Sequence, residues 1–470
     1  MNSAGIAQAA ATLTGALARF GASFSLGDVP EDDRHYAKLL ALDLFGCALA
    51  GLDTEEARLA RRAAHSLSPG GGGASIWGTG EAAAPGVAAM VNGTAAHALE
   101  LDDFHGVDHS GAVTLPALMA VADTGGEADG KRVLEGMIFG YEVGRRLLDG
   151  AGGYRRHNAA GWHTTGTLGS YAAAAAVAKL LGLDGQRMAW ALGIAGSFTG
   201  GTWAFNEDGA MSKRYHAGAA AQTGLQAAFL AREGFTGPAA VLEAERGGYF
   251  PLYGEGMTPA ARSVAEGLGR DFRIGWAGVK VYACCRGIHS ALDVALDFRQ
   301  EHGLRAEEIA SVHVLCTPVQ KGQLGLALPK TRIEAQFSLP YSTAVAFLHG
   351  EAGYEFFTEK WIGDPEIEAL AARVVLEADE GRSLEEEPVI TVRTRDGRVF
   401  TGQQPVPIGD PANPVPEADI RAKYRALATR HLAPGTVRRL EEAVLALDNP
   451  GSFAEVRAIL AARAERSGRE

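Results

Sequence analysis

At 470 residues the chain exceeds the size at which one hydrophobic core usually stops growing, so two domains are expected. Apolar residues make up 47% and charged residues 21%, the balance of an ordinary soluble globular protein. The net charge of −12 argues against non-specific binding to nucleic acid, which needs a basic footprint, and no apolar stretch reaches membrane-spanning length. Cys47, Cys284, Cys285 and Cys316 form no spaced framework, so a reducing compartment is expected. The amino-terminal "MNSAGIAQAAATLTGALARFG" has neither a basic leader nor a cleavable apolar core. The expected location is the cytoplasm.

In chain order, the first half reads as helix after helix. "YAKLLALDLFGCALAGL" (36–52) has the mixed three- and four-residue apolar spacing of a buried helix. "SPGGGGASIWGTGEAAAP" (68–85) breaks the pattern with glycine and holds one short β-like piece at 75–77. Helical period returns over 86–101, 110–123, 133–149, 166–183, 188–198 and 215–237, with short connections as in a bundle. Alanine and glycine dominate these segments, and small side chains let helices approach closely. The character changes near residue 265. "EEIASVHVLCT" (307–317) ends in a β-rich alternating run, and "EPVITVRTRDGRVFTGQ" (387–403) is a hairpin around an Asp-Gly turn. A helix at 287–303 lies between them. The expected architecture is mostly α, with a large helical domain (1–265 plus 405–470) and a smaller α/β domain (266–404).

Five polar islands interrupt the apolar background. "HALELDDFHGVDHSGAV" (97–113) packs Glu100, Asp102, Asp103, Asp108, His97, His105 and His109 together. His105 and His109 have helical zinc spacing, but Gly106 lies between them and no HExxH pattern follows. A carboxylate-rich loop could also hold magnesium, or be merely solvated. "GWHTTGTLG" (161–169) sets His163 ahead of a helix whose start favours an anion. "GAMSKRYHAG" (209–218) clusters Lys213, Arg214 and His216 at another helix start, where bases are unfavourable unless an anion joins them. "KVYACCRGIHSALD" (280–293) carries Lys280, Arg286 and His289 around Cys284 and Cys285. Nearby cations could activate a thiol, though adjacent cysteines equally suit packing. "AQFSLPYSTAVAFLHGE" (335–351) places Tyr341 after a proline at the head of an apolar helix. Walker, Rossmann and nucleophile-elbow patterns are absent from the sequence.

These islands, in this order, resemble the MmgE/PrpD family of 2-methylcitrate dehydratase-like proteins. The likeness rests on "VNGTAAHALELDD", "HSGAVTLPALMA", "GWHTTGTLGSYAAAAAVAKLLGL", "MSKRYHAGAAAQTGLQAAFLAREGFTGP", "KVYACCRGIHSALD" and "AQFSLPYSTAVAFLHGE", and runs from about residue 5 to 460. It implies a helical domain and an α/β domain with the site between them, a homodimer, and no required metal or cofactor. Such proteins dehydrate 2-methylcitrate, decarboxylate cis-aconitate or epimerise iminodisuccinate. The matching catalytic positions are Asp102, His109, His163, Lys213, Lys280, His289 and Tyr341. Glu100, Asp103, His105, Arg214 and Arg286 are the expected substrate-binding positions. Glu100 stands where the family usually has aspartate, the proline of the family's H-P-S/G-G segment is missing after His109, and Phe104 replaces a threonine of some members.

The expected activity is therefore a cofactor-independent lyase acting on a small di- or tricarboxylate by proton abstraction beside a carboxylate. Fixed cations would stabilise the developing charge and imidazoles would move the proton. The alternatives are an epimerase or racemase of a dicarboxylate, or a polycarboxylate-binding protein without turnover.

Overall fold

The computed structural model describes residues 12–105, 107–125 and 128–464. The leader reading at residues 1–11 and the Gly106 interruption fall outside the described residues. Helices of ten or more residues are, in order, Leu13–Ser23 (α1), Glu31–Gly51 (α2), Glu55–Leu67 (α3), Pro85–His97 (α4), Ser110–Asp123 (α5), Gly130–Gly150 (α6) and Thr164–Leu180 (α7). They continue as Gly185–Ala195 (α8), Ser212–Arg232 (α9), Arg286–His302 (α10), Leu339–His349 (α11), Glu417–Ala428 (α12), Pro434–Leu445 (α13) and Ser452–Ala461 (α14).

The hub is α7. Every residue of it but Lys179 is buried, because α5, α6, α8 and α9 surround it. A helix so enclosed has no polar face, which explains its run of alanines. Glycine and alanine also set the spacing. A Cβ on Gly218 of α9 would lie 2.2 Å from Met90 O on α4, and one on Gly224 would lie 2.4 Å from Ala173 Cβ on α7. Larger residues would force these helices apart and open cavities beside Leu168 and Leu225, each now worth about 1.5–3 kcal/mol of burial. The carboxy-terminal helices return to this layer: α12 packs on α2, where Lys423 Nζ donates to Asp43 Oδ2 at 2.9 Å and to Leu101 O at 2.6 Å.

A two-stranded ribbon, Ala74–Ile76 (β1) with Glu81–Ala83 (β2), closes the glycine-rich breaker. The second layer holds a four-stranded sheet of Ile309–Cys316 (β3), Val374–Ala378 (β4), Val389–Thr394 (β5) and Val399–Gly402 (β6), in the order β4-β3-β5-β6. β4 runs parallel to β3, and β5 and β6 form the expected hairpin, turning through Asp396 and Gly397, the latter at φ +90°. Ile309, Val312, Val314 and Cys316 alternate into a core covered by α10 and α11. That core also takes in Cys47, Leu99 and Leu101 from the helical layer, so apolar packing joins the two layers beside residue 100. All four cysteines are free and buried, and no described helix is long and apolar enough to cross a membrane.

Candidate active site

The loop from α4 to α5 carries the chemistry. It is pinned to the second layer by a two-way bridge: Phe104 N donates to Gly278 O at 3.0 Å and Gly278 N to Phe104 O at 2.8 Å. This crossing brings Lys280 beside Glu100. Within nine residues, Glu100, His105 and Asp108 all take left-handed backbone angles (φ +55°, +69° and +82°). Each non-glycine residue held there costs on the order of 1–3 kcal/mol, a cost the surrounding contacts must offset. Three helices begin against this loop. His109 caps α5, His163 caps α7, and Lys213 and Arg214 lie in the first turn of α9. α10 opens nearby with Cys285 as its cap and His289 in its first turns. None of the four carries an acidic residue in its first turn, so their positive ends are left to other anions.

Glu100 is the anion at the centre. Lys213 Nζ donates to its Oε1 and Oε2 at 3.0 and 2.9 Å, Lys280 Nζ to Oε1 at 3.0 Å, and Arg214 Nη1 to Oε2. All four side chains are buried. Burial opposes the charge on Glu100, but Lys213, Lys280 and Arg214 outweigh it and hold the carboxyl well below the usual range. Burial lowers Lys213 to about 8 despite Glu100, with Arg214 and Lys280 adding to the fall. For Lys280, Glu100 and Asp102 overcome burial and raise the ammonium. Gln336 fastens the far side of Arg214: its Oε1 accepts from Nη2 at 2.6 Å, and its Nε2 donates to Leu99 O and Ala283 O at 2.9 and 3.1 Å.

The imidazoles surround this group. Asp102 bridges two of them, Oδ1 to His97 Nδ1 at 3.0 Å and Oδ2 to His109 Nδ1 at 2.9 Å. Burial opposes ionisation of Asp102, but the two imidazoles outweigh it and keep the carboxylate charged. Lys213 Nζ donates to His97 Nε2 at 2.9 Å and sits 3.4 Å from His109 Nε2. Burial, His109 and Lys213 push His97 well below its ordinary value, so it is neutral with its hydrogen on Nδ1. Asp108 Oδ2 lies 3.4 Å from His109 Nε2 and 3.9 Å from His163 Nε2. The rings of His109 and His163 are 6.2 Å apart, and His163 Nδ1 meets His216 Nδ1 at 2.8 Å. His289 is buried against Tyr282 and Phe104, and neither ring nitrogen makes a well-formed hydrogen bond among the described residues. Burial, Lys280 and Arg286 hold it neutral.

Asp103 faces the other way. Its Oδ1 accepts from Gly111 N at 2.9 Å, bracing the start of α5, and its Oδ2 accepts from Tyr141 Oη at 2.9 Å. Burial, then Asp102, raise its carboxyl well above the usual range. It braces the loop rather than facing the cluster. Asp103→Asn is expected to change unfolding free energy by no more than about 1 kcal/mol in chemical denaturation, because the amide can keep both contacts, with Tyr141 Oη turned to accept, and burial already disfavours the charge that is lost.

A cavity of about 240 Å³ opens beside the cluster, lined by His105, Tyr154, Asn158, Cys285, Arg286 and Gln320 among others. Its rim is an ionic chain. Asp410 Oδ2 meets His105 Nε2 at 2.9 Å and Arg286 Nη2 at 3.4 Å, while Glu387 Oε1 accepts from Arg286 at 2.9 Å and from Arg155 at 2.5 Å. His105 and Arg286 therefore line this cavity and pair with Asp410 and Glu387 rather than with Glu100. Burial raises the Cys285 thiol to about 11, which leaves it protonated and poorly suited to nucleophilic attack. Tyr341 stands apart. The proline-headed helix turns its ring toward Phe357 in the second core, and its hydroxyl donates to Phe356 O at 2.6 Å.

His97, Asp108, His216 and Gln336 belong to the cluster but not to the expected site residues. All four lie in the polar islands, the first three within three residues of an expected position, so the sequence signals them by proximity alone.

Two buried donor sets are close enough to hold a metal ion, His97–Asp102–His109 and Asp108–His109–His163. Each of the Asp102 contacts has the length of an N–H···O bond, and the Lys213 ammonium stands against the Nε2 atoms of His97 and His109. A dication would have to displace those hydrogens and face that ammonium. The donor chemistry fits proton sharing better than ligation.

A helical layer and an α/β layer meeting over buried ammonium, carboxylate and imidazole groups define an enzyme of the proton-moving kind. Residues 15–260 match the MmgE/PrpD N-terminal domain and residues 282–449 the MmgE/PrpD C-terminal domain, and the chain belongs to this family. It is similar to cis-aconitate decarboxylase of Aspergillus terreus, with 30% identity over 461 residues covering 93% of each chain. It is also similar to cis-aconitate decarboxylase-like protein oryM of Aspergillus oryzae (29%, covering 92% of this chain and 94% of the relative). The Homo sapiens cis-aconitate decarboxylase is 28% identical, covering 88% of this chain and 87% of the relative. The protein is a lyase-type enzyme of the dehydratase and decarboxylase kind.

Proposed function

We propose that this enzyme decarboxylates cis-aconitate, or a close unsaturated tricarboxylate, with its own side chains and without a metal or organic cofactor. The observation that carries the reading is Lys213 Nζ, which touches Glu100, His97 and His109 at once, beside His163 and Lys280. Similarity over nearly nine-tenths or more of the chain to proteins with that printed activity supports the choice of substrate. In the reaction, a proton adds to the CH carbon of the alkene, and the carboxylate that leaves is the one on the CH2 group attached to the other alkene carbon. The double-bond electrons form that new C–H bond. The electrons of the breaking C–CO2 bond become the new double bond, and carbon dioxide leaves. Lys213, Lys280 and Arg214 provide the positive field that holds the substrate carboxylates, while His109 or His163 supplies the proton. Neutral His289, whose ring nitrogens make no well-formed hydrogen bond among the described residues, is a contact for the substrate's remaining carboxylate.

The test is an NMR assay of chelator-treated enzyme in deuterated water with cis-aconitate, 2-methylcitrate and dicarboxylate candidates. The expected result is carbon dioxide release from cis-aconitate and an itaconate carrying one deuterium. Water loss from 2-methylcitrate alone, or exchange on a dicarboxylate without loss of carbon, would replace this reading by a dehydratase or an epimerase.

A further inference from the structure

His163 is fully buried at the head of α7, and its Nδ1 lies 2.8 Å from the Nδ1 of His216. Two ring nitrogens at that distance share one hydrogen, so one imidazole donates and the other accepts. The opposite nitrogen decides which. His163 Nε2 has no hydrogen-bond partner among the described residues and looks toward Asp108 Oδ2 at 3.9 Å. A carboxylate in front of Nε2 favours a hydrogen there. Burial, with Lys213 adding to it, keeps the ring neutral, so a hydrogen on Nε2 leaves Nδ1 bare. His216 must then be the donor.

We propose that His216 is a positioning residue: by donating its Nδ1 hydrogen to His163, it fixes the tautomer whose Nε2–H points at Asp108 and His109. His216 lies on α9 three residues after Lys213, is only partly buried, and has the edge of Phe205 at 6.0 Å between ring centres. Gly201 completes the seat. Its carbonyl accepts from His163 N at 3.0 Å, and a Cβ there would lie 3.5 Å from His216 Nδ1. His163 is thereby held at both its backbone and its ring. The tautomer follows from this geometry alone; its use as an acid rests on the decarboxylase reading, in which every turnover must place one proton on carbon.

The experiment labels histidine with 15N and reads the ring tautomers from long-range proton–nitrogen spectra, the His163 signal being assigned by its loss in His163→Gln. Wild type and His216→Asn, whose amide N–H stands in for the ring donor, are expected to show the Nε2–H pattern; in His216→Phe, with only Asp108 at 3.9 Å left to select it, the two tautomers are expected to mix. With cis-aconitate, His216→Phe is expected to lower kcat by at least about tenfold with KM changed less than about twofold, and His216→Asn to recover most of it. A His163 that carries its hydrogen on Nδ1 in the wild type overturns the proposal, as does a wild-type kcat in His216→Phe. Wild-type enzyme that turns over no polycarboxylate would instead overturn the decarboxylase reading, and the tautomer spectra would still decide the role of His216.

Discussion

Lys213→Ala is expected to lower kcat/KM for the proposed substrate by about a thousandfold while the protein stays folded. Lys213 is the cation shared by the carboxylate and two imidazoles, so its removal takes away positive field and the contact that orders both rings. Losing one preorganised electrostatic partner typically costs 10²–10³ in turnover, and disordering a proton donor adds to that. The fold should survive because Glu100 keeps Lys280 and Arg214, and no charge is left unpaired. Thermal unfolding should shift by a few degrees at most, reflecting about 1 kcal/mol for the His97 Nε2 left without its donor. A pH profile sharpens the test. Burial holds Lys213 to about 8, so the ammonium is present below that pH and lost above it. The kcat/KM of the wild type should fall as pH rises through about 8. Lys213→Arg should lack that limb, since a guanidinium stays charged throughout. Turnover near the wild-type level in Lys213→Ala would remove Lys213 from the mechanism.

Much of this arrangement was legible in the chain, and the illegible part has a common cause. The alanine-rich segments announce a tightly packed helical layer because close helix approach demands small residues, as Gly218 and Gly224 illustrate. Alternation around Asp396-Gly397 announces the hairpin because pleat and turn are local. The polar islands stand out because ionisable side chains beside helix starts are anomalous in an apolar chain. Their mutual arrangement is not local. Lys213 meets Glu100 across 113 positions and Lys280 meets it across 180, through a bridge at Phe104 and Gly278 that has no motif. Adjacent carboxylates also diverge for tertiary reasons. Asp102 turns to two imidazoles and stays charged, whereas Asp103 turns to Gly111 and Tyr141 and burial pushes its carboxyl up. Likewise Tyr341 reads as a site residue by its neighbours, yet the α11 backbone directs it to Phe356 O.

Glu100→Gln should be the most destabilising single change in the cluster, by about 3–5 kcal/mol. The substitution keeps the size and shape of the side chain, so packing is not the source. It leaves Lys213, Arg214 and Lys280 buried around a neutral amide that must also turn an N–H toward cations. A buried ion group loses far more from removal of one partner than it gains by existing, because the orphaned charges have already left water. At roughly 2–4 °C per kcal/mol, the melting temperature should fall by about 10 °C. The pH dependence has a definite sign. The folded carboxyl of Glu100 is held below its unfolded value, so its contribution is fully present above the ordinary glutamate range and is lost as pH falls through the folded value. The gap between wild type and variant should therefore narrow in acid. It should also narrow as pH rises toward about 8, because Lys213, which Glu100 holds up to that value in the wild type, sheds its proton at lower pH in the variant and relieves the repulsion. Glu100→Asp separates charge from reach: with its carboxylate one methylene shorter, it cannot hold all three cations, but it keeps the charge and should recover most of the lost stability. Urea unfolding of the three proteins between pH 4 and 9 measures these differences. Equal stability of Glu100→Gln and wild type at pH 7 would mean that the three cations are not held by this carboxylate.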